Sequence, residues 1–104
     1  MTRLEKLQEF LKTDPNDSFT RYAIGLEYRA VKDYHSAITS LDALRHNDPK
    51  YVATYYMLAD CYRFVDENAK AIECYKQGIA VARAAGDTHS MSELQAAMDE
   101  LDEN

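Results

Sequence analysis

Tryptophan is absent from the 104 residues, and glycine (3), proline (2) and cysteine (2) are scarce. So few breakpoints predict a handful of long elements rather than many short strands joined by tight turns. Cys61 and Cys74 form no CxxC pair and sit among helical neighbours. They read as buried, reduced thiols, and a disulfide framework or a short-spaced zinc site is not expected. Positive charge is also short: 12 Lys and Arg against 18 Asp and Glu give a net charge of −6. Nucleic acid and anionic membrane both require a basic footprint, so neither is an expected partner. No apolar run approaches the ~20 residues that span a bilayer. The start, Met1-Thr2-Arg3-Leu4-Glu5-Lys6, is charged at once and does not read as a signal peptide. A cytoplasmic location is the resulting expectation.

Chemistry-bearing motifs are missing as well. There is no glycine-rich phosphate loop, and His35, His46 and His89 fall near helix ends or turns with no nucleophile or carboxylate pair at a recurring spacing. His46, in the last turn of a helix, suits the negative end of the helix dipole. Catalysis, a metal and a cofactor are therefore not expected.

What is present is repetition and tyrosine, of which there are eight. Ile24-Gly25-Leu26-Glu27-Tyr28 precedes Ala37-Ile38, and Leu58-Ala59-Asp60-Cys61-Tyr62 precedes Ala71-Ile72 at a constant offset of 34. A period of that size means stacked two-helix units. Leu4, Leu7, Phe10 and Leu11 mark a first helix over about 2–13, which Asp14-Pro15 ends. A second helix, about 18–31, carries two stripes, Ile24, Gly25 and Tyr28 beside Phe19, Tyr22, Leu26 and Arg29. Two adjacent stripes imply contact on two sides. A third helix, about 34–47, is capped by Asp33 and stopped at Asp48-Pro49. A fourth, about 51–65, repeats the second. The fifth starts near 68; with Arg83 where a third proline would fall, it should run on to Gly86. Ser90 and Glu93 have capping-box spacing for a sixth helix, about 88–102, with Met91, Leu94, Met98 and Leu101 on one face.

These residues resemble the tetratricopeptide repeat family, whose two-helix unit has this same period. Ile24-Gly25, Tyr28, Ala37 and Asp48-Pro49 match its pattern once; Leu58-Ala59, Tyr62 and Ala71 match it again. The resemblance implies an all-α helix-turn-helix array, an alpha-alpha superhelix of about six antiparallel helices, in one domain. Its parts are a partial repeat (2–13), repeat 1 (18–51), repeat 2 with an extended second helix (52–86) and a capping helix (87–102). Gly25, Ala37, Ala59 and Ala71 are small so that paired helices can approach, while Tyr28 and Tyr62 fill the space between units. Two departures stand out: Arg21 replaces the unit's first aromatic, kept as Tyr55 in the second repeat, and Gly78 replaces an alanine at an expected cost of about 0.5–1 kcal/mol.

The resemblance also implies function, namely non-catalytic protein–protein interaction through a concave groove lined by the first helix of each unit. By period the lining is Phe19, Tyr22, Leu26 and Arg29, then Tyr56, Asp60, Arg63 and Phe64. Tyrosine and arginine are enriched at binding hot spots. The tyrosines could grip apolar side chains of a peptide and the arginines its carboxylates; the plainer alternative is that both only pack and pair within the stack. Tyr22, Leu26 and Met57 stand where the family's chaperone-tail binders carry lysine and asparagine, which argues against that ligand. A monomer is favoured over a homodimer, with a homo-oligomeric assembly piece or a small accessory subunit of an enzyme or secretion complex as alternatives.

Overall fold

The computed structural model describes residues 1–102. Six helices follow in order along them: α1 (Arg3–Thr13), α2 (Ser18–Ala30), α3 (Tyr34–Asn47), α4 (Ala53–Phe64), α5 (Asn68–Ala84) and α6 (Thr88–Asp102). Among the described residues there is no strand. Each helix packs on its sequence neighbour, and α2 also meets α4.

Side-chain oxygens open four of the six helices by satisfying amides that have no intrahelical partner. Thr2 and Glu5 form a capping box on α1, at 3.1 and 3.0 Å. Asp17 accepts from the Thr20 amide (3.1 Å), and Asp33 from the Ser36 amide (3.2 Å). On α6 the cap is Asp87, which accepts from both the amide (3.0 Å) and the hydroxyl (2.7 Å) of Ser90. This corrects the expected Ser90–Glu93 box. A carboxylate already lies three positions before Ser90, so the serine donates to the cap instead of forming it. Neither α4 nor α5 has a side-chain cap.

Three helices end alike. Lys32 (φ 64°), Asp66 (φ 61°) and Gly86 (φ 71°) are left-handed. The next amide then reaches back to the preceding turn at 2.9 Å each time, from Asp33 to Tyr28, Glu67 to Tyr62 and Asp87 to Ala82. These are Schellman ends. Gly86 adopts this conformation freely, whereas Lys32 and Asp66 do so at a cost of roughly 1–2 kcal/mol each. The prolines are used in parallel too. Arg21 Nε donates to the Pro15 carbonyl (2.8 Å), and Tyr55, one period on, donates its hydroxyl to the Pro49 carbonyl (2.5 Å). The Arg21 departure thus keeps the tie while changing the donor.

The core runs from α2 to α6 through Leu41, Leu44, Leu58, Tyr75 and Leu94, all fully buried. Ala37, Ala59 and Ala71 are equally buried, and half-buried Tyr28 and Tyr62 pack against this core. A methyl on Gly25 would lie 2.6 Å from Leu41 Cδ2, so the residue has to be small unless the Leu41 side chain shifts. The propensity cost of Gly78 stands beside a steric gain, for a methyl there would come 2.6 Å from Tyr55 Cβ and 3.1 Å from Leu94 Cδ1. The glycine is what lets α5 touch α4. Helix α6 closes one end with Leu94, Ala97 and Leu101 buried, whereas α1 buries no residue and leaves Phe10 exposed.

Candidate functional site: a groove over α2, α4 and α6

Residues of helices α2, α4 and α6 line one surface, and it is divided into two chemically different ends. At the start of these helices, Tyr22 and Tyr56 open into one hollow of about 270 Å³, completed by Val52, Ala53, Ser90, Glu93 and Leu94. Tyr22 also packs on Tyr51, with ring centroids 5.9 Å apart and planes inclined at 53°. Tyr56 meets Tyr75 edge-on at 6.3 Å and keeps 39% of its surface exposed. Burial raises the Tyr22 hydroxyl pKa above its ordinary value, with Tyr51 adding and Arg29 opposing. Burial does the same for Tyr51, helped by the charges of Asp17 and Asp48. Both rings are therefore neutral hydrogen-bonding walls. Glu93 sits at the rim, 3.3 Å from His89 Nε2.

Beside this hollow lies a second, of about 300 Å³, where Phe19, Tyr22, Ala23, Leu26 and Ala30 of α2 face Arg3. Phe19 is 65% exposed. Leu26 belongs to this outer hollow, not to the one shared with Tyr56.

At the far end the groove is cationic only in name. Arg29 Nη2 pairs with Asp60 at 2.5 Å, and Arg63 Nη2 with Glu100 at 3.2 Å. Each arginine reaches the carboxylate of the next groove helix. Burial opposes the Arg29 charge, but the hydrogen bond and charge of Asp60 outweigh it, and its pKa rises. The Arg63 pKa rises mainly through its contact with the Tyr75 hydroxyl at 3.5 Å, despite desolvation, and Glu100 adds to it. Phe64 stacks on Tyr34 (4.8 Å, 6°) with Arg29 5.8 Å from its centre. The charge of each guanidinium group is thus paired within the chain, although Arg29 Nε itself has no hydrogen-bond partner among the described residues.

The predicted residues therefore divide four ways: Tyr22 with Tyr56, Phe19 with Leu26, Arg29 with Asp60 and Phe64, and Arg63 with Glu100 of α6. Sequence reasoning missed Tyr51, Tyr34, Ser90, Glu93 and Glu100. Tyr51 and Tyr34 have no tyrosine partner one period away, and α6 falls outside the exact period, so spacing carried no signal for them. Among the described residues no group of three His, Cys, Asp or Glu is placed to hold a metal ion. No described helix is long and apolar enough to cross a membrane.

A family model described as tetratricopeptide repeat matches residues 52–84. A TPR repeat-containing protein of Pseudomonas aeruginosa is 26% identical over 99 residues, covering 95% of this chain and 94% of its own. Among solved structures, a tetratricopeptide repeat domain protein from Salinibacter ruber has a TM-score of 0.80 at 41% identity, over 85% of this chain and 89% of that one. The TPR2B domain of yeast Sti1, solved as a complex with pHsp70, has a TM-score of 0.90 at 18% identity, over 96% of this chain and 80% of that one, and shares the fold. The repeat spacing, the small residues at each helix crossing and the likeness to the Salinibacter protein along most of both chains agree: this chain belongs to the tetratricopeptide repeat family.

Proposed function

We propose that the chain is a non-catalytic interaction module that takes an extended or helical peptide of a protein partner in the groove over α2, α4 and α6. The observation that carries this reading is the paired placement of Tyr22 and Tyr56 on one hollow, with Tyr56 partly exposed. A partly exposed tyrosine beside a concavity offers a partner a large apolar face and a hydroxyl at little entropic cost. That a Sti1 domain of the same fold was solved with pHsp70 supports a peptide or protein as the class of ligand. The proposed repeat units are 18–51 and 52–86. The proposed setting is the cytoplasm and the proposed state a monomer.

The test is partner or peptide affinity after Tyr56→Ala. A clear loss in a protein that keeps its helical circular dichroism supports the groove, and unchanged affinity removes it. A second reading, a homo-oligomeric assembly piece or accessory subunit, has its own observation: α1 buries nothing and leaves Phe10 54% exposed. Light scattering over a concentration series separates the two, since a mass that stays at 11.9 kDa excludes self-assembly.

A further inference from the structure

Resting on the groove reading, we propose that the hollow between Tyr22, Tyr56 and Glu93 receives a basic side chain, lysine or arginine, of the bound peptide.

Three observations converge. The hollow is lined by two tyrosine rings, and a cation is drawn to the negative face of such a ring. Among the described residues its only charged lining group is the Glu93 carboxylate, while Arg29, whose charge also reaches Tyr22, is paired with Asp60. Asp17 and Asp48 add to that field, for both act on Tyr51, which packs on Tyr22. The groove arginines, the natural repellents of a basic ligand, are held by Asp60 and Glu100. What a ligand meets is thus a neutralised end and an acidic, aromatic end, on a chain of net charge −6. A volume of about 270 Å³ suits one long side chain better than a whole small-molecule ligand.

The stem of a lysine or arginine would run between the tyrosine rings, and its charged head would meet Glu93 at the rim. Glu93 can turn from His89 to do so, because that contact is an exposed pair one turn apart on one helix. An acidic peptide side chain would instead be placed against Glu93 with no cation to receive it.

The experiment uses the full chain. Peptides of about a dozen residues are selected from a random library, and one is resynthesised with its basic residue replaced by norleucine. Both forms are titrated by fluorescence anisotropy against wild type, Glu93→Gln and Tyr56→Ala, each checked for helical content. The expected result is enrichment of lysine or arginine, a loss of about 5–30-fold for the norleucine form, and a loss with Glu93→Gln for the basic form alone. Equal affinity of the two forms, or selected peptides without a basic residue, overturns the inference. If Tyr56→Ala still weakens those peptides, the groove reading survives without it. If no peptide binds, or binding ignores Tyr56→Ala, both fall.

Discussion

Replacing Gly78 by alanine should destabilise the protein, although alanine is the better helix former. Gly78 lies within α5, and on propensity alone the change should gain about 0.5–1 kcal/mol. The added methyl would lie 2.6 Å from Tyr55 Cβ, 3.2 Å from Tyr55 Cγ and 3.1 Å from Leu94 Cδ1. Carbon atoms in contact sit about 3.5–4.0 Å apart, so the first contact is short by roughly 1 Å. A Cβ cannot rotate away, and the Tyr55 ring is held by its bond to the Pro49 carbonyl. The relief must come from parting α4 and α5, an overpacking cost of about 1–3 kcal/mol that exceeds the propensity gain. The net loss is about 0.5–2 kcal/mol. At roughly 4–8 °C per kcal/mol for a domain near this size, Tm should fall by several degrees. Gly25→Ala is the internal comparison. Its nearest contacts, Leu41 Cδ2 at 2.6 Å and Cγ at 2.7 Å, are side-chain atoms that a small change of χ can move, and Ala59 already occupies the matching position of the next unit. It should cost less. Thermal and urea unfolding of the three proteins by circular dichroism decides the matter, and Gly78→Ala melting at or above wild type would refute the steric reasoning.

Three further outcomes follow from the same geometry. The Thr54 hydroxyl is fully buried without a partner among the described residues, whereas Thr20, its counterpart in the first unit, donates to Asp17. Thr54→Val should therefore raise stability by about 1 kcal/mol and Thr20→Val lower it by a similar amount, read from urea midpoints. Lys32→Gly and Asp66→Gly release left-handed strain of roughly 1–2 kcal/mol but loosen the unfolded chain by about 0.4–1 kcal/mol; each should melt higher than wild type by a few degrees at most. Stability should also fall between about pH 9 and 11. Burial pushes the Cys61 and Cys74 thiols up to about 11. The folded state then holds protons that the unfolded state has released, so stability complete below the unfolded pKa drains away as pH rises toward 11. The limit is roughly 2–3 kcal/mol per thiol. A urea midpoint flat across that range in the wild-type protein would count against this.

The fold was legible because it is written twice. Tyr28 and Tyr62, Ala37 and Ala71, and Pro15 and Pro49 recur at one offset, and Gly25 is answered by the small Ala59, because packing makes similar demands each time. What spacing could not supply was the identity of the donor or the neighbour. Arg21 makes the tie of Tyr55 through a different atom, so a pattern that looks for an aromatic registers a loss where the hydrogen bond persists. Gly78 looked like a defect because propensity is a property of one helix, while its reason lies on the facing one.

The groove shows the sharper limit. Arg29 and Arg63 form a clean period in the sequence and would suggest a cationic floor, yet the residues that decide their availability, Asp60 and Glu100, break the period. Asp60 stands where the first unit has Leu26, and Glu100 belongs to the closing helix. Repeats preserve what the stack needs, because every unit must pack on the next. The groove is free of that constraint, so its charge pattern is set by the substitutions that do not repeat. The charge that a ligand meets should accordingly be sought from the aperiodic residues, Asp60, Glu93 and Glu100, set beside the periodic tyrosine pair Tyr22 and Tyr56.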